Sequence, residues 1–276
     1  IQLLDSDANP ITDFDIKKFE WDSYKTEDSY QRYFVLTNSS GMTGTVSEKG
    51  IKELPFQYQE IKAFDGKSVT YAKQNGKYGL IDYKGKIILP LEYDEIYTSK
   101  FFDYYIIKKS KKAGMFDKNG NQIISFSYQD IIPTFYVKNE RFIVQQNELF
   151  GVIDINENVI IPLEYQEISN WVEYGPKEHF VTKYGKKGLI SRDGEIVIPT
   201  QYDEIFVDNS KLIKVINDGL YGTIDWNNEI IHPIKFDQIL WEWPYLTQEP
   251  LDTIYVKENG KYFSTDTDGK VIEPSV

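Results

Sequence analysis

A unit of about 35 residues recurs along this chain, and that periodicity constrains its fold more than any other feature. The clearest copy is Lys77–Ile96, KYGLIDYKGKIILPLEYDEI. Its first glycine has counterparts at Gly44, Gly79, Gly114, Gly151, Gly188 and Gly222. Six residues later stand Gly50, Gly85, Gly120, Glu157, Gly194 and Asn228. A proline slot follows at Pro55, Pro90, Ser125, Pro162, Pro199 and Pro233, then an aromatic at Tyr58, Tyr93, Tyr128, Tyr165, Tyr202 and Phe236. Each copy ends on isoleucine: Ile61, Ile96, Ile131, Ile168, Ile205 and Ile239. A further partial copy holds Gly269 and Pro274. Units of this kind pack on their neighbours instead of around one central core.

Each unit reads as three short strands. The first is apolar and β-rich, as in Val69–Ala72 or Leu212–Val215. Asn75-Gly76 and Asn259-Gly260 mark the hairpin that follows, because both central residues of that turn need positive φ. The second strand carries the anchor glycine. An Asp-x-x-Gly turn comes next, in which Asp82, Asp117, Asp154 or Asp225 accepts backbone N–H bonds and Gly or Asn takes the left-handed position. Glu157 does not suit that position, so a rearranged turn is expected there. The third strand ends at the proline, which cannot donate to a ladder.

The expected fold is therefore all-β: six to seven three-stranded repeats in an open, curved superhelix or solenoid. The alternative is a closed β-propeller-like ring, although propeller blades usually carry four strands and are longer. Residues 1–28 form an N-terminal segment with a degenerate half repeat, its strands near Leu4-Asp5 and Ile11. Residues 29–251 hold six repeats, and residues 252–276 a partial one. With 21 Tyr and 16 Phe, the composition agrees with a strand-rich chain.

The pattern aromatic-Gly-x-Ile-Asp-x-x-Gly-x-x-Ile-x-Pro-x-x-Tyr-Asp-x-Ile resembles the bacterial WG (KWG) repeat from about Thr43 to Pro274. The resemblance implies a β-rich interaction module and carries no enzymatic chemistry. The chain departs from the family at its eponymous Trp: Thr43, Tyr78, Ala113, Phe150, Lys187 and Tyr221 precede the anchor glycine.

A net charge of −12 repels nucleic acid and anionic lipid, so neither is an expected partner. No apolar run is long enough for a membrane-spanning helix. The chain starts at Ile1, as expected of a processed or trimmed polypeptide, and a cell-envelope or extracytoplasmic compartment is favoured. There is no cysteine, and the two histidines, His179 and His232, have no metal-binding spacing; a surface or half-buried role is expected for both. No cofactor, metal or catalytic residue is assigned. The carboxylates after the aromatic slot (Glu60, Asp94, Glu95, Asp130, Glu167, Asp203, Glu204, Asp237) recur in every unit, which fits a solvated acidic edge. A glycosidase would need one special pair.

Aromatics that the fold requires should sit at repeating slots. Trp171, Tyr174, Trp241, Trp243 and Tyr245 instead sit in connections between repeats, where amphipathic rings suit interfaces. They are the candidate binding residues. The expected function is a non-catalytic scaffold binding another protein, with a cell-envelope glycan as the alternative and a hydrolase behind both.

Overall fold

The computed structural model describes residues 10, 15–26, 28–98, 103–133, 141–169, 178–207, 212–240 and 253–272. These form seven antiparallel sheets of four strands, each a simple meander with strands in chain order. Sheet 1 comprises Ile16–Lys25, Tyr30–Asn38, Thr43–Ser47 and Lys52–Tyr58. Sheet 2 comprises Glu60–Ile61, Val69–Gln74, Lys77–Asp82 and Ile87–Tyr93. Sheet 3 comprises Glu95–Thr98, Tyr104–Lys109, Lys112–Asp117 and Gln122–Tyr128. Sheet 4 comprises Asp130–Pro133, Arg141–Gln146, Leu149–Asp154 and Val159–Tyr165. Sheet 5 comprises Glu167–Ile168, His179–Lys183, Lys186–Ile190 and Ile196–Tyr202. Sheet 6 comprises Glu204–Val207, Ile213–Asn217, Leu220–Ile224 and Ile230–Phe236. Sheet 7 comprises Gln238–Leu240, Ile254–Glu258, Lys261–Thr265 and Val271–Ile272.

The chain is thus an all-β repeat array, with no sheet closed into a barrel, and each sheet has one strand more than the sequence suggests. In sheets 2 to 7 the extra strand is the one that holds the slot isoleucine; in sheet 1 it is Ile16–Lys25. In sheet 3, Glu95 and Ile96 pair with Lys108 and Ile107. What reads as the tail of one repeat is the first strand of the next sheet. Consecutive sheets are therefore joined by a single residue. The expected strands near Leu4-Asp5 and Ile11 lie outside the described residues.

Two compact units divide the chain at Ile131/Ile132. In the first, Tyr33, Leu54 and Tyr58 of sheet 1 pack with Ile61, Ala72 and Ile81 of sheet 2. Leu80, Leu89 and Tyr93 of sheet 2 then pack with Ile96, Tyr105 and Ile107 of sheet 3. In the second unit, the same positions repeat the arrangement between sheets 4 and 5, 5 and 6, and 6 and 7. Alternation along each strand gives every sheet a face for such a core. The aromatic slot is buried throughout, from Tyr58 to Phe236.

The anchor glycine and the slot proline belong to one device. In sheet 2, Tyr78 pairs with Tyr93 but Leu80 pairs with Leu89, so the fourth strand bulges at Pro90–Glu92 opposite Gly79. A Cβ on Gly79 would lie 2.6 Å from the Leu89 carbonyl oxygen and 2.7 Å from that of Pro90. The bulge leaves room for glycine only. The strand does not end at the proline, as expected from sequence; it runs on to Tyr93. A bulge on an outer strand tolerates the missing N–H that would break a central ladder.

The Asp-x-x-Gly turns form as anticipated. Asp82 Oδ1 accepts N–H bonds from Lys84 at 2.9 Å and Lys86 at 2.8 Å. Glu157 corrects one expectation. It adopts φ +62°, and its turn keeps the usual bonds. Glu157 N donates to the Asp154 carbonyl at 3.1 Å, and Asp154 N to that of Asn158 at 3.0 Å. Asp154 holds the turn through Asn156 N and Asn158 N, each at 2.8 Å, so no rearrangement is needed.

Candidate functional site

The recurring polar residues have structural work. The residue directly after the slot aromatic reaches into the following sheet and caps the hairpin between its second and third strands. Gln59 Oε1 accepts Gly76 N at 2.7 Å, Asp94 Oδ2 accepts Ser110 N at 2.7 Å, and Gln166 Oε1 accepts Gly185 N at 2.8 Å. Asp203 Oδ2 accepts Asp218 N at 2.7 Å, and Asp237 Oδ2 accepts Gly260 N at 3.1 Å. The Lys77 ammonium and this N–H hold the Asp94 carboxyl below the usual range, and Lys186 does the same for Asp203. The carboxylates one place further on are also engaged: Asp130 with Lys108 at 3.2 Å, Glu167 with the Thr182 hydroxyl at 3.1 Å, Glu204 with Lys187 at 2.5 Å. Among the described residues no cluster of His, Asp and Glu could hold a metal ion.

Both histidines are buried, which corrects the expectation of surface or half-buried sites. His179 Nδ1 lies 2.9 Å from the Ser169 carbonyl oxygen. His232 occupies the core slot filled elsewhere by Leu54, Leu89 or Ile161. Its ring bridges the Thr223 hydroxyl at 2.6 Å and, in sheet 7, the Thr265 hydroxyl at 2.8 Å. Burial pushes both imidazoles below their usual range. His232 is thus held at both ring nitrogens, and His179 at its Nδ1.

The residue before the anchor glycine lies in a row of cross-strand neighbours. In sheet 2 the row is Glu60, Lys73, Tyr78 and Tyr93. The Tyr78 ring leans back across it: its hydroxyl points at Glu60 Oε2 (3.4 Å), the Lys73 ammonium sits 4.8 Å from its centroid, and Tyr71 meets it edge-on at 5.7 Å. In sheet 5 the equivalent row is Glu167, Thr182, Lys187 and Tyr202. Lys187 turns the other way, to Glu204 of sheet 6, and does not cover the row. A cleft of about 470 Å³ opens there, lined by Glu167, Phe180, Thr182 and Lys187, with Phe150 of sheet 4 and Ile205 of sheet 6 as walls. Sheet 1 has a second cleft, of about 400 Å³, at the same place. Its row is Lys18, Thr37, Thr43 and Tyr58, and three of these four residues line it. The two clefts thus fall where Thr43 or Lys187 stands in place of an aromatic. In sheet 3, where the position is Ala113, Lys108 lies over the Tyr97 ring at 5.4 Å and reaches Asp130.

Sequence reasoning missed these clefts, although the substitution series Thr43, Ala113, Lys187 was their signal. Trp171, Tyr174, Trp241, Trp243 and Tyr245 all lie outside the described residues. Among the described residues, no helix is long and apolar enough to cross a membrane.

Stacked four-stranded meanders with a repeated bulge and turn define a β-repeat protein. Five stretches, residues 49–78, 78–112, 114–150, 150–175 and 188–221, match the family described as WG containing repeat. They cover more than half of the chain, which therefore belongs to the WG repeat family. No curated protein sequence matches the chain significantly. Similar solved structures include a eukaryotic initiation factor, at 7% identity over 93% of this chain and 95% of that chain, with a TM-score of 0.35. Hsv2p of Kluyveromyces lactis shares 9% identity over 76% and 72% of the two chains, TM-score 0.33. The dihydro-heme d1 dehydrogenase NirN shares 12% over 99% and 69%, TM-score 0.34. Superpositions at this level carry no functional weight.

Proposed function

We propose that the chain is a non-catalytic binding scaffold whose partner is another protein. The observation that carries this reading is a division of labour among side chains. Among the described residues, recurring carboxylates and amides cap turns and pair with lysines, which suits a structural role. The residue before the anchor glycine varies instead, through Thr43, Tyr78, Ala113, Phe150, Lys187 and Tyr221, and clefts open beside Thr43 and Lys187. A repeat array whose units differ at one position presents a surface that changes along its length to an extended partner. The non-recurring Trp171, Tyr174, Trp241, Trp243 and Tyr245 belong to the same reading, as rings carried by the segments between the first and second strands of sheets 5 and 7.

The test is capture of partners from the source cell on the immobilised chain, with proteins identified by mass spectrometry. The wild-type chain should retain a defined protein that Trp171→Ala and Trp241→Ala lose, while both variants keep the wild-type thermal midpoint. Release of that protein by soluble envelope glycan would transfer the reading to a carbohydrate ligand. Turnover of a glycan substrate by the wild-type chain would overturn it.

A further inference from the structure

From the cross-strand row in sheet 5 we infer that the cleft at Lys187 is a receptor for a tyrosine side chain presented by a partner polypeptide. The inference deepens the binding-scaffold reading and rests on it. Its template lies within the same chain. In sheet 2 the corresponding space is filled from inside by Tyr78, whose hydroxyl points at Glu60 and whose ring packs against Tyr71 and Lys73. Register maps Glu60 onto Glu167, Tyr71 onto Phe180, and Lys73 onto Thr182. All three counterparts line the cleft. The residue that would supply the ring is Lys187, and its ammonium is drawn to Glu204 at 2.5 Å. Among the described residues, sheet 5 therefore keeps the walls of an aromatic slot without its ring.

Chemistry selects tyrosine among the aromatic side chains. Phe180 and Phe150 offer faces and edges for ring–ring contact, which favours any aromatic. Glu167 accepts one bond, from the Thr182 hydroxyl at 3.1 Å. An ionised carboxylate has about four lone-pair sites, so it can accept a second O–H. A phenol placed as Tyr78 is placed would donate to it, as Tyr78 does towards Glu60. The cleft in sheet 1 has Lys18 in the row position that Glu167 holds in sheet 5, and its carboxylates, Glu20 and Glu60, stand outside that row.

The probe is N-acetyl-L-tyrosinamide, titrated into the full chain with amide chemical shifts as readout. Shifts should centre on Phe180, Thr182 and Gly188. N-acetyl-L-phenylalaninamide, which lacks the hydroxyl, should bind roughly tenfold more weakly, the loss of one charge-assisted hydrogen bond. Lys187→Trp should fill the slot from within and weaken the tyrosine probe by at least about tenfold. The comparison of the two probes on the wild-type chain needs no variant to fold. Shifts centred elsewhere, equal affinity for both probes, or undiminished binding by a folded Lys187→Trp chain would each overturn the assignment. If the probe fails while the captured protein is still lost on Trp241→Ala, the tyrosine slot falls and the scaffold reading stands. If no protein is captured at all, the scaffold reading falls whatever the probe does.

Discussion

Gly188→Ala isolates the backbone device that sheets 1 to 6 share. The φ of Gly188 is not in the left-handed region, so alanine meets no dihedral penalty there and the effect is steric. Its Cβ would sit 2.6 Å from the Ile198 carbonyl oxygen and 2.9 Å from both the Pro199 carbonyl carbon and the Thr200 nitrogen. Ordinary contact begins near 3.4 Å, so the closest approach is about 0.8 Å too short. All three atoms are backbone, and none can rotate away. Overpacking of this kind costs about 1–3 kcal/mol, while the stiffer unfolded chain returns roughly 0.5–1 kcal/mol. With three backbone atoms involved, the cost belongs at the upper end and the net loss is about 2 kcal/mol. Gly114→Ala is the internal control. Its Cβ would stand 3.1 Å from the Ile124 carbonyl oxygen and 3.1 Å from the edge of the Phe126 ring, which can yield. It should cost under about 1 kcal/mol. Urea unfolding followed by tryptophan fluorescence compares the two. An unchanged or stabilised Gly188→Ala chain would refute the bulge as the reason for the anchor glycine.

Other predictions follow from the turns and the buried histidine. Glu157→Gly should raise stability by about 0.5–1 kcal/mol, because a non-glycine residue in the left-handed region costs about 1–2 kcal/mol and glycine's freedom in the unfolded chain offsets part of the gain. Gly194→Ala, at φ +88° with its Cβ 2.4 Å from the Ile160 carbonyl oxygen, should do the reverse in the same unfolding assay. His232 has a folded pKa below its unfolded value, so its contribution is complete above about pH 6.5 and is lost as pH falls towards the folded pKa. Thermal midpoints should decline from pH 7 to pH 5, and His232→Leu should flatten that slope. The same variant should lose about 1–3 kcal/mol at neutral pH, because it strips partners from the buried Thr223 and Thr265 hydroxyls. A second loss should begin below about pH 4. The turn aspartates Asp154 and Asp225 have depressed pKa values, held down by the Asn158 side chain and the Glu229 N–H respectively. Their stabilising effect is present above the unfolded pKa and disappears as pH falls through the folded one.

Much of the fold can be read from the sequence, because turns and packing state their needs in residue types. Glycine at Gly85, asparagine at Asn228 and aspartate at Asp82 each announce one conformation. What was hidden depends on pairing between distant residues. The segment from Glu95 to Thr98 is too short to declare itself a strand; only its partners Tyr105–Lys108 in the same sheet make it one. Pro90 looks like a terminator until the register opposite Gly79 shows a bulge. Asp94 and Asp203 look like a solvated edge until the next sheet places a hairpin N–H against each. The cleft at Lys187 was legible only as a missing aromatic, and its meaning depends on Lys187 turning towards Glu204 instead of covering Glu167.

The central claim is that recurring residues build the array while non-recurring ones bind. Asp203→Asn and Trp241→Ala, compared for both thermal midpoint and retention of the captured protein, test it most directly. Asp203→Asn weakens the Lys186 pair and the cap on Asp218 N, so it should lower the midpoint and, at a temperature where it is folded, retain the protein in full. Trp241→Ala should leave the midpoint unchanged and lose the protein. The reverse pattern, with binding lost by folded Asp203→Asn and kept by Trp241→Ala, would contradict the account.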